Sequence, residues 1–249
     1  VREMNLVAQD TSRYGLDRYG KYMLPELIHQ VCQVEGVDWV RILYAYPERI
    51  TDELIDAIAK EPKVVKYIDI PVQHGSGKVL REMNRVGDRH TILALVKKLR
   101  ERIPGVVIRT TMIAGFPGET QEDFEELCKL VTEARFERLG CFAYSQEEDT
   151  PAGEREDQID PKVRADRADR IMELQMDIAF EFARSCKGKV LDVLVEGRQG
   201  GRYYGRSYMD APDIDTRVYF TSKEKLSAGQ LVPVEITGSR EYDLVGVAR

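Results

Sequence analysis

The sequence predicts an α/β domain followed by a small β-barrel. Up to Tyr144, short apolar strand patterns alternate with longer amphipathic helical patterns, which is typical of parallel strands joined by right-handed crossovers. From Lys187 onward the apolar residues follow the period of strands, with Gly-rich turns between them. We therefore expect first a barrel or an open doubly wound sheet, and then a small antiparallel β-barrel of OB-like type.

Five strands and four helical segments are predicted in the first part. The strands are Met4–Ala8, Trp39–Tyr44, Tyr67–Val72, Val106–Ile113 and Arg138–Tyr144. The helices are Tyr22–Glu35, Asp52–Lys60, Val79–Arg102 with a break at Gly87, and Gln121–Ala134. Thr51 and Thr120 stand just before two of these helices, and Asp88 stands where the third resumes after Gly87; side chains of these kinds cap helix N-termini.

The alternation of strand and helix patterns ends after Tyr144. A polar, acidic loop leads to one long amphipathic pattern at Pro161–Cys186. The strands predicted after it are Val190–Glu196, Arg202–Tyr208, Arg217–Phe220, Leu231–Thr237 and Tyr242–Ala248. The predicted division is therefore an α/β core at 1–160, a connecting helix at 161–187 and a barrel at 188–249.

Composition and charge exclude several classes of protein. The chain has 249 residues, 43% of them hydrophobic, and a net charge of −6. This hydrophobic share is ordinary for a chain with a packed core, and no run approaches the ~18 apolar residues of a membrane span. Residues 187–249 carry ten basic and nine acidic side chains, so a strong electrostatic footprint for RNA is missing. We expect no membrane partner, and a monomer.

The cysteines give no metal site. They are Cys32, Cys128, Cys141 and Cys186, and no two are spaced as a CxxC ligand pair. Each is interpreted as a small buried hydrophobe rather than a ligand. Free cysteines of this kind fit a reducing cytoplasm.

Polar and flexible residues cluster where four of the predicted strands end. The clusters are Gln9-Asp10, Gln73-His74-Gly75-Ser76, Gly115 to Gly118, and Tyr144-Ser145. The carboxyl ends of parallel strands meet at one edge of a sheet, and α/β folds bind ligands there. Any one loop could be polar only because loops are solvated. Four such loops at one edge predict a ligand site.

Single residues refine this prediction. Gly115 and Gly118 would let the backbone approach a ligand closely, and Arg109 would offer a forked cation to a carboxylate. Neither phosphate-loop pattern, GxxxxGK[ST] or GxGxxG, occurs, and there is no GxSxG or HExxH motif, so hydrolase chemistry has no visible nucleophile or zinc site. Carboxylate chemistry by Asp10 and Asp69 stays open at this point.

Four segments resemble motifs of the radical S-adenosylmethionine (radical SAM) methylthiotransferase family, in that family's order and spacing. They are LVAQDTSRYG (6–15), YIDIPVQHGSGKVLREMNR (67–85), RTTMIAGFPGET (109–120) and FAYSQEEDTPA (142–152). The C-terminal barrel resembles a TRAM domain, so the resemblance spans essentially the whole chain. It implies a partial (β/α) radical SAM barrel, similar to a TIM barrel, followed by a TRAM domain.

The segment YYGRSYMDAPDIDTRVYF (203–220) is similar to one branch of the family. That branch adds a methylthio group to the β-carbon of an aspartate in small-subunit ribosomal protein twelve, free or on the ribosome. Two alternatives stay open: the sister branch, which modifies an isopentenylated adenosine in tRNA, and a non-enzymatic RNA-binding module. The predicted substrate-binding residues are Tyr203, Tyr204, Arg206 and Tyr208.

The resemblance also implies cofactors. The residues expected at S-adenosylmethionine are Gln9 and Asp10 (amino group), Arg109 (carboxylate), Gln73, His74 and Ser76 (ribose), Gly115 and Gly118 (adenosine wall) and Tyr144 at the same rim. The resemblance further implies [4Fe-4S] clusters as cofactors, and a sulfur donor and an electron donor as partners. The family's CxxxCxxC motif and first barrel strand are absent from this sequence, so the cluster ligands would lie outside it. We interpret the chain as a truncated fragment and expect it alone to be inactive in the radical step; no catalytic residue is predicted.

Overall fold

The computed structural model describes residues 1–249, and its first unit is a parallel sheet covered by helices. The strands are β1 (Glu3–Leu6), β2 (Trp39–Ile42), β3 (Val64–Asp69), β4 (Val107–Ala114) and β5 (Arg138–Ala143). They pair in chain order, β1-β2-β3-β4-β5, and every pairing is parallel. The sheet is not closed into a ring. The predicted partial (β/α) barrel is therefore confirmed.

Seven helices accompany the sheet. They are α1 (Leu16–Tyr19), α2 (Leu24–Cys32), α3 (Asp52–Lys60), α4 (Gly77–Glu82), α5 (Arg89–Arg102), α6 (Gln121–Ala134) and α7 (Pro161–Ser185). The expected caps form: Thr51 caps α3, and capping boxes start α5 at Asp88 and α6 at Thr120. The pattern at 79–102 is split into α4 and α5 because Asn84 and Gly87 take left-handed φ values of 56° and 109°. None of the helices is both long enough and apolar enough to cross a membrane.

The second unit is a closed five-stranded barrel. Its strands are β6 (Val190–Gln199), β7 (Arg202–Arg206), β8 (Val218–Thr221), β9 (Leu231–Arg240) and β10 (Asp243–Ala248), in the ring order β10-β8-β7-β6-β9. The predicted OB-like barrel is confirmed, with one refinement. The pairing of β8 with β10 is parallel. A ring with an odd number of strands cannot be antiparallel at every pairing, so a wholly antiparallel barrel of five was not attainable.

The two faces of the parallel sheet belong to different cores. Ile42, Ile68 and Ile108 point toward the helices and join the larger apolar core. Tyr67 and Val107, next to them in the strands, point the other way and share a second core with residues of the barrel. Because Tyr67 and Val107 lie early or midway in their strands, the barrel covers the amino-terminal half of this inner face. The loops that follow the strands extend beyond that contact.

A buried polar layer joins the barrel to the sheet. Its contacts are Arg138–Asp210 (2.7 Å), Tyr67–Asp215 (2.6 Å), Arg206–Glu3 (2.6 Å) and Arg41 to the carbonyl of Tyr208 (2.9 Å). The turn that carries Asp210 and Asp215 connects β7 with β8 and lies on the inner face of the sheet. The division at residues 160 and 187 stays a prediction; α7 ends at Ser185 and β6 begins at Val190.

Candidate functional site

The loops that follow the parallel strands lie side by side at the carboxyl rim of the sheet. Main-chain hydrogen bonds hold them in this order. The bonds run from Thr11 N–H to Tyr44 O (3.0 Å), from Ala45 N–H to Asp69 O (2.9 Å), from Ile113 N–H to Gln73 O (2.9 Å) and from Tyr144 N–H to Ala114 O (2.8 Å). The structure thus brings the predicted strand ends together, although not every predicted side chain is free there.

Gln73 lies at the rim with an unused acceptor. Its backbone takes a left-handed φ of 68° and bridges Thr111 and Ile113 of β4. Its side-chain oxygen Oε1 is buried and has no hydrogen-bond donor. Most buried polar atoms are hydrogen-bonded, so an orphaned amide oxygen at a ligand-binding edge is a candidate contact for a bound molecule.

Gln9 and Asp10 differ in whether their side chains are available to bind a ligand. Gln9 is exposed at the end of β1. The carboxylate of Asp10 accepts the N–H of Ser12 at 3.1 Å and pairs with Arg49 at 2.7 Å. Asp10 therefore caps the short turn after β1 and is already bound to a cation, whereas Gln9 is free to contact a ligand.

His74 and Ser76 are buried inside the β3–α4 loop. His74 Nδ1 accepts the N–H of Ser76 at 2.9 Å, so the ring hydrogen is on Nε2, which donates to Glu119 Oε2 at 3.2 Å. Ser76 caps α4 and its hydroxyl bonds Asp123 at 2.5 Å. Both side chains shape the loop from within, and neither presents an open polar group at the rim.

The carboxylate of Asp123 is strongly held. Burial alone would raise its pKa, but hydrogen bonds from Ser76, Thr120 and Lys78 outweigh burial and hold the pKa at about 2. Lys78 also donates to the carbonyl of Gly118 at 2.8 Å. Asp123 therefore ties the β3–α4 loop to the loop before α6.

Gly115 and Gly118 take left-handed φ values of 78° and 75°. A Cβ at Gly115 would meet the Arg164 side chain at 2.5 Å, and one at Gly118 would meet Arg155 at 2.5 Å. Glycine is thus required at both positions, but the groups that approach them belong to the chain itself. The structure gives these glycines a packing role, and an adenosine wall stays a prediction.

Glu119 is a buried residue with three partners, and no sequence motif indicated its role. One carboxylate oxygen accepts the N–H of Gly115 at 2.7 Å and faces His74; the other pairs with Arg167 of α7 at 2.7 Å. Its side chain has no exposed surface. The only signal in the sequence was its place at the end of Gly-Phe-Pro-Gly-Glu, because the partners lie 45 and 48 residues away.

Arg109 is already paired with carboxylates of the chain. Its guanidinium pairs with Asp69 at 3.1 Å and lies 3.7 Å from Asp215 of the barrel unit. Burial raises the pKa of Asp69, while Arg109 acts in the opposite direction. The alternation of β4 gives the face of Arg109 correctly, but its position early in the strand places it at the contact with the barrel. Asp69 likewise faces this contact and not Asp10.

Tyr144 stays at the rim beyond β5. Its ring is partly exposed and meets Phe116 edge to face, with centroids 5.4 Å apart. The guanidinium of Arg164 lies over the same ring at 5.3 Å. Tyr144 is therefore placed to line a ligand, and Phe116 and Arg164 hold its ring in position.

Most of the barrel residues predicted to bind substrate are buried or bonded to other parts of the chain. Tyr203 and Arg206 are each only 7% exposed, and Arg206 pairs with Glu3. The hydroxyl of Tyr208 donates to the carbonyl of Gly105 at 3.0 Å. Tyr204 is the one residue of the four whose ring is partly exposed and whose hydroxyl makes no hydrogen bond to the chain. Substrate binding by these residues stays a prediction that rests mainly on Tyr204.

One further rim group was missed because the end of β2 was not among the predicted clusters. It consists of Tyr46 and Arg49, from the loop after β2, and Arg85, from the turn between α4 and α5. The guanidinium carbons of Arg49 and Arg85 lie 5.3 and 3.8 Å from the centroid of the Tyr46 ring. Arg85 is distant in sequence, and only the parallel order of the strands places it here.

Both units match known families. Residues 15–131 match the radical SAM superfamily and residues 188–248 match the TRAM domain. Coproporphyrinogen III oxidase from Escherichia coli, a radical SAM enzyme, is similar with a TM-score of 0.53 and 22% identity over 64% of this chain and 37% of that one. This likeness concerns the fold alone. The class of protein is thus a radical SAM protein with a C-terminal TRAM domain.

Closer relatives identify the branch. The chain is 48% identical over 250 residues to the ribosomal protein uS12 methylthiotransferase RimO of Lachnoclostridium phytofermentans, and 50% identical over 247 residues to that of Desulfitobacterium hafniense. These alignments cover 100% and 99% of this chain and 57% and 56% of the relatives. The chain therefore spans about half the length of the curated relatives it matches. It belongs to the RimO-type methylthiotransferase family, as the sequence motifs predicted.

The residues present fit one family cofactor and not the other. Gln9 and the orphaned oxygen of Gln73 are polar groups available at the rim for S-adenosylmethionine. A [4Fe-4S] cluster needs several thiolates together. The four cysteines are dispersed, no group of three His, Cys, Asp or Glu could hold a metal ion, and burial raises the pKa of Cys141 to about 12. These residues do not fit a cluster.

Proposed function

We propose that this chain is part of an S-adenosylmethionine-dependent enzyme that methylthiolates the β-carbon of an aspartate in ribosomal protein uS12. The observation that carries the proposal is the identity of 48% and 50% to RimO proteins over essentially the whole chain, both units included. A shared TRAM domain or a shared radical SAM core alone would not distinguish this branch from its sister.

In this proposal the carboxyl rim binds S-adenosylmethionine, which when bound supplies the removal of a hydrogen atom from the substrate carbon, while another S-adenosylmethionine supplies the transferred methyl group. Gln9 and Gln73 donate or accept hydrogen bonds there, and Tyr144 lines the same edge. His74 and Ser76 act from behind the surface by fixing the β3–α4 loop. Glu119 holds that loop and the Gly115 turn at a constant distance, which is what an ordered cofactor site requires.

The proposed macromolecular partner is uS12, free or within the ribosome, with separate donors of sulfur and electrons, and the proposed setting is the cytoplasm. The barrel supports a protein partner over tRNA. Its residues 187–249 are nearly balanced in charge, and Arg206 is buried against Glu3 and Glu196. A tRNA-binding surface would instead present unpaired cations for phosphate contacts.

One assay separates the substrates. The full product of the gene that encodes these residues, with its iron–sulfur clusters rebuilt anaerobically, is incubated with uS12, with ribosomes or with tRNA. We expect a methylthio mass gain on one aspartate of uS12, located by fragment mass spectrometry. The matched control is uS12 with that aspartate replaced by asparagine, which should gain nothing. A gain on tRNA with none on the protein would refute the proposal.

A further inference from the structure

Exposed apolar side chains surround one cavity where β5, α7 and the barrel meet. Five of the sixteen exposed large hydrophobic residues of the chain line it, although they come from separate parts of the sequence. They are 40–62% exposed: Phe142 of β5, Met172 and Met176 of α7, Ile214 between β7 and β8, and Tyr242 between β9 and β10. Exposed hydrophobic residues that are scattered singly need no explanation, but a concentration of them marks an interaction site.

Two buried polar side chains line the same cavity, and each has an unused hydrogen-bonding atom. Gln175 donates through Nε2 to the carbonyl of Phe136 at 2.9 Å, and its Oε1 has no donor. Arg138 binds Asp210 and the carbonyl of Glu137 through its two Nη atoms, and its Nε has no acceptor. Gln175 and Arg138 are only 3% and 9% exposed, so they form the floor of the cavity. Because few buried polar atoms lack a partner, a free acceptor and a free donor in one cavity point to a bound group that carries both.

The charged side chains of the lining have partners within the chain, so the cavity favours an uncharged group. The pairs are Arg109–Asp69 (3.1 Å), Arg138–Asp210 (2.7 Å), Glu137–Arg100 (2.8 Å) and Asp215–Tyr67 (2.6 Å). Met172 and Met176 form part of the wall, and their flexible thioether side chains adapt to the shape of an apolar group that enters.

These features fit a stretch of polypeptide better than a small molecule. A peptide unit carries one N–H donor and one C=O acceptor, which match the free atoms of Gln175 and Arg138. β5 is the outer strand of the open sheet, and the N–H of Cys141 on its free edge meets a weak acceptor, the sulfur of Met172 at 3.3 Å. The cavity measures about 430 Å³, which is at the lower end of the about 300–1,000 Å³ that small-molecule sites occupy.

The cavity adjoins the carboxyl rim. Phe142 lies two residues before Tyr144, which corresponds to about 7 Å along an extended strand. At the other side of the cavity the Tyr242 ring is stacked on Phe180, with centroids 5.0 Å apart. A polypeptide that places one side chain at the rim beside Tyr144 therefore reaches the cavity with a residue only a few positions away.

We propose that this cavity anchors the protein substrate by an apolar side chain close to the modified aspartate. This inference rests on the proposed function, which supplies a polypeptide whose aspartate has to lie at the rim. The apolar side chain enters between Phe142, Met176 and Ile214. The peptide group next to it binds the Oε1 of Gln175 and the Nε of Arg138. The anchor thereby fixes which residue of the substrate reaches the rim.

Steady-state kinetics of the reconstituted full gene product test the anchor in Met176→Gln, Ile214→Gln and the control Val163→Gln. Val163 is the matched control because it lies on α7, as Met176 does, is 39% exposed and does not line the cavity. Each cavity variant is expected to raise the KM for uS12 by about tenfold, since it places a polar amide against the apolar group. The affinity for S-adenosylhomocysteine should stay at the wild-type value. Circular dichroism checks folding, and if one cavity variant does not fold, the other decides.

A photo-crosslink identifies what occupies the cavity. Ile214→p-benzoylphenylalanine, and Val163→p-benzoylphenylalanine as control, are irradiated with uS12, and the linked peptides are located by mass spectrometry. We expect the Ile214 variant to link to uS12 within about five residues of the target aspartate, because an extended chain spans about 3.3 Å per residue. The Val163 variant should not link to uS12.

A link from the Ile214 variant to a second copy of the chain, or to another part of the gene product, overturns the proposal. KM values of the cavity variants that equal that of Val163→Gln also overturn it. The proposed function fails separately. A wild-type product that modifies no uS12 refutes the function, whereas an active wild type whose cavity variants behave like Val163→Gln refutes only the anchor.

Discussion

Glu119 is the residue on which the geometry of the rim depends most. Its two oxygens contact the Gly115 turn, His74 and Arg167, so it joins the loops after β3 and β4 to α7. The contacts with Gly115 and His74 are buried, and the contact with Arg167 is partly buried. Removing the carboxylate would leave a buried imidazole and a largely buried guanidinium without their partner.

We therefore expect Glu119→Ala to lower the free energy of unfolding by about 3–5 kcal/mol. Urea unfolding followed by the fluorescence of Trp39, the single tryptophan, measures it. Glu125→Ala on the exposed side of α6 is the control and should stay within about 0.5 kcal/mol of wild type. A loss in Glu119→Ala no larger than in the control would contradict this role of Glu119.

Asp123 gives the stability a specific dependence on pH. Its pKa is held at about 2, below the ordinary value of 3.8, so its contribution is complete well above pH 3.8 and is lost as the pH falls toward 2. The difference corresponds to roughly 2 kcal/mol at neutral pH. The gap in unfolding free energy between wild type and Asp123→Asn should therefore shrink by roughly half between pH 6 and pH 3. A gap independent of pH would show that the carboxylate is not held in this way.

At the scale of elements, the contact between the β7–β8 turn and the sheet decides how the two units are joined. Arg138 of β5 pairs with Asp210 at 2.7 Å, and both side chains are at most 10% exposed. Burial lowers the pKa of Arg138, whereas the neighbouring carboxylate of Asp210 raises it, and the net effect is a raised pKa. The pair is thus a buried, charged link between units.

We expect Arg138→Met and Asp210→Asn each to destabilise the chain by about 3–5 kcal/mol, because each leaves its partner buried and unpaired. The double variant should cost clearly less than the two changes added together. Lys60→Met, at the exposed Lys60–Asp56 pair, is the matched control and should cost under about 1 kcal/mol. Strict additivity in the double variant would rule out a coupled buried pair.

Sequence patterns predicted the elements well and the side-chain roles less well, for physical reasons. Alternating apolar residues and good N-caps such as Thr51 are local signals, so strands and helix starts were recoverable. Arg109 is an example of a role that was not predictable. Alternation assigns its side chain to one face of the sheet, but it does not show how far along the strands the barrel covers that face. His74 is another, since its partner Glu119 is 45 residues away. Arg85 lies within one of the sequence motifs, but its stacking on Tyr46 is a tertiary contact between residues 39 positions apart in the chain.

At the scale of the whole molecule, the chain carries a rim suited to a cofactor but no cluster ligands. Its four free cysteines are divided among α2, α6, β5 and the residue after α7. We expect these 249 residues, treated anaerobically with iron and sulfide, to show no stoichiometric iron–sulfur absorbance after desalting. The four-cysteine variant with serine at each position is the control and should give the same spectrum. A stoichiometric cluster lost in that variant would contradict the prediction.

The proposed function requires that the carboxyl rim of the parallel sheet binds S-adenosylmethionine. Hydrogen exchange of the reconstituted full gene product, with and without saturating S-adenosylhomocysteine, tests this requirement. We expect slower amide exchange in the loops at 7–13, 44–49, 71–76 and 113–118, and no change in β7 and β8 of the barrel. Slower exchange confined to the barrel, or no slowing at these four loops while the ligand is bound, would show that the rim is not the binding site.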